Sequence, residues 1–247
     1  MDMFDRGRRQ FAKAMTLGAC GFLGVLLEGC TGGPFGIVGA AGPPAAAPDV
    51  RVGDRWVYHV VDGFRMPVEW DETHEVTAVG TNGISVRVTC KGPTLDLTRT
   101  ELWSAPGIVR EGAAVDVETR RYATPLQRYR FPLTPGMTWS QFVDNYNENT
   151  RKSGQFNYYA RVGGWKSISV PAGTFDAIFV NVLMRMDDEE FWRWPTDCNY
   201  ALWYAPAVGA MVREKKEAQY FEKGGIDAVA IRAQHSHIEL ISYSRKR

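Results

Sequence analysis

The stretch Asn82-Gly83-Ile84-Ser85-Val86-Arg87-Val88-Thr89-Cys90-Lys91 decides the fold. Ile84, Val86, Val88 and Cys90 alternate with Ser85, Arg87, Thr89 and Lys91. A period of two gives a strand one apolar and one polar face. Asn-Gly, just after the apolar residues of 76–79, is the strongest short hairpin pattern, because both residue types tolerate positive φ.

Working outward, the same grammar recurs. Trp56, Tyr58 and Val60 alternate with Val57, His59 and Val61, which reads as a strand covered on both faces. Residues 175–184 have the same character, and 228–243 read as a last strand long enough to bend. Gly163-Gly164 is expected to turn a 158–162 strand into a 165–170 strand, and Gly224-Gly225 is a third expected turn. Residues 184–194 read as a short helix or an ornamented loop, and the polar 141–152 as a loop. Strands at this density argue for a mainly β chain, a single curled antiparallel sheet forming a barrel or half-barrel with few short helices. No period of 20–50 residues repeats, which excludes a propeller or solenoid.

The N-terminus has another grammar. Arg6, Arg8, Arg9 and Lys13 precede an uncharged run over 14–27, too short to cross a bilayer. Arg8-Arg9-Gln10-Phe11-Ala12-Lys13 resembles a twin-arginine export signal, with an ordinary secretory signal as the alternative. Leu27-Glu28-Gly29-Cys30 resembles a lipobox, although Glu28 departs from the usual small or apolar residue. That resemblance implies cleavage before Cys30 and its diacylation, two chains giving a stable anchor where one is marginal. The expected organisation is a signal peptide over 1–29, a lipidated cysteine with a Gly/Pro/Ala-rich, disordered tether over 30–49, and a β-rich envelope domain over 50–247. The expected location is the cell envelope, membrane-anchored and facing the periplasm, with the outer membrane as one option.

Cleavage before Cys30 would leave 25 Lys/Arg against 25 Asp/Glu. A balanced chain carries no electrostatic footprint for nucleic acid. Cys90 and Cys198 then form an even pair in an oxidising compartment, to be joined as a disulfide or left as two buried thiols. Catalytic and phosphate-binding motifs are missing, so neither an enzyme nor a cofactor is expected. His235 and His237, two apart on one strand face, are weak metal ligands on this reading and read as well as surface histidines. Asp187-Asp188-Glu189-Glu190 beside Phe191-Trp192-Arg193-Trp194 reads as a solvated loop. It lacks the glycine and alternating oxygens of a calcium loop.

Further phrases carry a family resemblance. They are Gly53-Asp54-Arg55-Trp56-Val57-Tyr58, Phe131-Pro132-Leu133, Pro135-Gly136-Met137-Thr138-Trp139, Val170-Pro171-Ala172-Gly173-Thr174-Phe175-Asp176-Ala177, Trp203-Tyr204-Ala205-Pro206-Ala207-Val208-Gly209 and Glu239-Leu240-Ile241-Ser242-Tyr243. Together they resemble the TapB-like family of bacterial lipoproteins, whose outline implies a curled sheet holding acyl chains against its concave face. The expectation is a non-catalytic, lipid-anchored protein binding an amphiphile or apolar ligand there, with Trp56, Tyr58, Trp192, Trp194 and Trp203 as groove aromatics. The alternative is an assembly module that binds protein or glycan through a sheet edge or an aromatic patch.

Overall fold

The computed structural model describes residues 39–63, 66–224 and 230–246. Cys30, residues 1–29, Gly225 and the first part of the tether lie outside them. Twelve antiparallel strands close into one up-and-down barrel, each bonded to its sequence neighbours and β1 to β12. They are β1 (Arg55–Asp62), β2 (Val68–Gly80), β3 (Gly83–Lys91), β4 (Asp96–Ala105), β5 (Ile108–Gly112) and β6 (Arg120–Gln127). The second half comprises β7 (Thr138–Asn147), β8 (Lys152–Val170), β9 (Gly173–Asp187), β10 (Thr196–Ala205), β11 (Ala210–Phe221) and β12 (Ala230–Ser244). The barrel expectation holds, and no helix occurs among the described residues.

Alternation sets the inside and the outside. Trp56, Tyr58 and Val60 are buried on β1, as are Ile84, Val86, Val88 and Cys90 on β3. The opposite faces of β2 and β3 present Asp71, Thr73, Glu75, Arg87, Thr89 and Lys91, a surface suited to water. The β2–β3 hairpin pairs Gly80 with Gly83 around Thr81-Asn82. Gly83 has φ +104°, and a Cβ there would sit 2.2 Å from the Trp103 carbonyl oxygen, so glycine is required.

Two local expectations fail for stated reasons, and a third holds in part. The Gly163-Gly164 pair does not turn the chain, because β8 runs through it with a bulge between Val162 and Trp165. Its glycines leave room for residues 39–40, since a Cβ on Gly164 would lie 2.4 Å from the Ala40 carbonyl oxygen. The polar 141–152 stretch is largely β7, in which Val143, Asn145 and Asn147 are buried. Of residues 184–194, the first four finish β9 and the rest form a loop, one of the two expected alternatives.

The described part of the expected tether, from residue 39, is built into the domain. Ala40 exchanges backbone hydrogen bonds with Trp165, and Ala45 with Leu133, at 2.8–2.9 Å. Trp165 Nε1 donates to the Pro43 carbonyl, and the Tyr204 hydroxyl to that of Ala46. Small residues and prolines bury little by themselves, but here they fill the end of the barrel where β1 starts and β12 ends. Arg245 fastens that end by donating to the Asp54 carboxylate and to the Val208 and Asp49 carbonyls. Asp54, fully buried, also accepts the Lys246 and Arg51 amides.

Candidate functional site

A twelve-stranded barrel is wider than one that its side chains fill completely. The inward positions of β2, β4, β10, β11 and β12 supply polar and charged groups to that excess space. They line an internal cavity of about 130 Å³, together with Trp56 and Tyr58. Pro48 and Val50 line it near the start of β1, and Ala113–Val117 of the β5–β6 connection at the other end.

One wall is a closed ionic network. His74 Nε2 and Glu72 lie 2.6 Å apart, and Arg99 donates to the same carboxylate at 3.3 Å. Arg99 and Arg128 lie 3.7 and 3.4 Å from Glu101, which also accepts the Trp103 indole N–H. Arg128 donates to the Ala113 carbonyl at 2.7 Å. Burial pushes the Glu72 carboxyl upward, but His74, Arg99 and Lys216 outweigh it and hold it well below the usual carboxylate range. Glu101 is held below that range despite burial, by Arg128 and Arg99. Both carboxylates are therefore charged at neutral pH.

The other wall is a cross-strand row. Tyr200 on β10 pairs in register with Lys216 on β11, and Lys216 with Ser236 on β12. All three line the cavity. Tyr200 and Ser236 are 5% and 1% exposed; the Ser236 hydroxyl has no hydrogen-bond partner among the described residues, and the Tyr200 hydroxyl meets only the Cys198 thiol. Trp70 Nε1 and Arg99 Nε are further buried donors without a partner on the same lining. The Lys216 ammonium lies 3.6 Å from Glu214, beyond a good hydrogen bond, and 5.7 Å from the Tyr200 ring centroid. Burial raises the Tyr200 phenol well above its ordinary value, so it stays a neutral donor.

The expected groove aromatics separate. Trp56 and Tyr58 reach the cavity wall, where their polar atoms donate to the Val208 and Met211 carbonyls. Trp203 stacks on Phe179, 5.3 Å between centroids, outside that lining. Trp192 and Trp194 sit in the β9–β10 loop with Phe191, at 39%, 54% and 87% exposure, and line no part of the interior. A period-two reading places the first pair inward; it cannot place loop tryptophans. Sequence reasoning missed Tyr200, Lys216 and Ser236, because each is ordinary within its own strand. Their meeting depends on register alone.

Cys90 and Cys198 are unpaired buried thiols, which corrects the disulfide alternative. They lie on β3 and β10, five strands apart around the barrel, so no sulfur–sulfur contact is within reach. Burial, then Glu72, pushes the Cys90 thiol up to about 12. Burial, then Asp116, does the same for Cys198. His235 and His237 share one face of β12 with rings 5.3 Å apart. Among the described residues no group of three or more His, Cys, Asp or Glu side chains is placed to hold a metal.

Comparison with known proteins gives two structural likenesses. One is a protein from Bacteroides fragilis described as exported and of YMCC-like fold, at 11% identity and TM-score 0.49. The other is a protein from Parabacteroides distasonis described as a lipoprotein, at 16% identity and TM-score 0.47. Each match covers 82% of this chain and all of the other. No family model and no curated protein matches the sequence.

Proposed function

We propose that this chain is a non-catalytic envelope protein, anchored through a lipid on Cys30, whose barrel interior binds a small polar-headed molecule. The observation that carries the reading is the set of buried polar atoms without a partner that line the cavity, Ser236 Oγ, Gln234 Oε1, Trp70 Nε1 and Arg99 Nε. A buried polar group without a partner costs roughly 1–3 kcal/mol. The envelope location rests on the arginine-rich start, the apolar run and the Leu27-to-Cys30 phrase.

The geometry narrows the expected ligand. Sites for drug-sized molecules begin near ~300 Å³, and about 130 Å³ is too little for a long acyl chain. The paired Glu72, Arg99, Glu101 and Arg128 set charged groups into a lining that is otherwise largely apolar. A small ligand, or the head of a larger one, fits these facts.

Native mass spectrometry of the full chain, recovered from membranes after export, tests this reading. A retained small mass in stoichiometric amount is expected, with a diacylated Cys30 as the mature N-terminus. A clean apoprotein under gentle ionisation would remove the ligand reading. Its rival would then be an assembly module acting through the exposed Phe191, Trp192 and Trp194 loop. Closure of the barrel removes that rival's sheet-edge route.

A further inference from the structure

We infer that the interior site takes the carboxylate of a short-chain monocarboxylic acid, held by Lys216 with the hydroxyls of Tyr200 and Ser236. This rests on the interior-binding reading and names its ligand class.

Direct opposition across three strands brings the ammonium and both hydroxyls onto one row. Lys216 stands about 4.5–5.5 Å at Cβ from each of its two neighbours, Tyr200 and Ser236, so its ammonium is placed between their hydroxyls. An ammonium and two hydroxyls offer donors, and the orphaned Trp70 and Arg99 N–H groups line the same cavity. With Gln234 Oε1 as the orphaned acceptor beside several donors, such a lining asks for a ligand richer in acceptors than in donors.

Charge then chooses among acceptor-rich ligands. Arg99 and Arg128 are committed to Glu72 and Glu101. Lys216 is the cation on the row, and its pair with Glu214 is long. A single negative charge can displace or share that contact. A dianion such as phosphate would face Glu214 and Glu72 with one cation to offset it. The rest of the ligand meets Val60, Leu202 and Ile238, which also line the cavity. That leaves a monoanion with a short apolar tail, consistent with a cavity of about 130 Å³.

Calorimetric titration of the full-length protein with butyrate and with 1-butanol tests the inference. Butyrate is expected to bind the native protein at least about tenfold more tightly than butanol, the weight of one charge-assisted hydrogen bond. Lys216→Met and Tyr200→Phe should each weaken butyrate about tenfold. Tyr200→Phe also guards against loss of folding, because it deletes a hydroxyl whose protein contact is the weak one to the Cys198 thiol and should leave the melting temperature nearly unchanged. Equal binding of butanol, with both variants indifferent, would overturn the carboxylate assignment and leave the interior site standing. If neither probe binds, the assignment falls. The ligand mass retained in native spectrometry then decides separately whether the interior-binding reading falls with it.

Discussion

The two polar walls inside this barrel are both built from inward polar side chains and behave oppositely. On the β2–β4 wall, Glu72, His74, Arg99 and Glu101 mostly satisfy one another. On the β10–β12 wall, Tyr200 and Ser236 are as deeply buried, yet among the described residues the Ser236 hydroxyl meets no partner and the Tyr200 hydroxyl only the Cys198 thiol. A network closed on itself fixes the position of its strands. A set of donors left open can hold something else. The difference teaches that burial of polar groups does not by itself mark a site; the state of their partners does.

The largest effect should come from opening the closed wall. Glu101→Ala leaves Arg99 and Arg128 buried without their shared carboxylate, and should cost about 3–5 kcal/mol of stability, read from urea unfolding. A cost below about 1 kcal/mol, typical of exposed ion pairs, would break the contrast between the walls.

Next comes the clasp at the terminal end. Asp54→Asn removes the fully buried charge that meets Arg245, and should cost about 2–3 kcal/mol. Arg245→Ala should cost a comparable amount if the two act as a unit, and the double variant should then cost less than the sum.

Acid sharpens the comparison in another way. Glu72 and Glu101 titrate below the ordinary 4.5 in the folded protein. Their contribution is therefore fully present above pH 4.5 and is lost as pH falls through the lower folded values. The urea midpoint should drop between pH 5 and pH 3, and Glu72→Gln should flatten that slope. A slope unchanged by the substitution would show that the closed wall does not carry the acid sensitivity.

The smallest effect belongs to the open wall. Ser236→Ala deletes a hydroxyl with no protein partner, and should change unliganded stability by less than about 0.5 kcal/mol. A large loss in the thermal melt would mean that Ser236 is structural, and the two walls would then be alike.

The amino-acid sequence by itself determined the strands and their inward faces wherever one face was apolar. Ile84, Val86, Val88 and Cys90 are inside because a period of two leaves them no alternative, and the Asn82-Gly83 corner needs its glycine. It failed where polar residues face inward, as at Asn145 and Asn147 on β7, because alternation of hydrophobicity is then invisible. It failed at Gly163-Gly164 because a glycine pair reads as a turn, although a segment more than a hundred residues away occupies the space it leaves. Only the tertiary structure decided that residues 39–50 cover an end of the barrel. Only closure put Cys90 and Cys198 nearly opposite each other, and only register aligned Tyr200, Lys216 and Ser236. Periodicity is a local property of the chain, whereas register and closure are set by contacts between residues distant in it. A site assembled across three strands can therefore be recognised only after those strands have been paired.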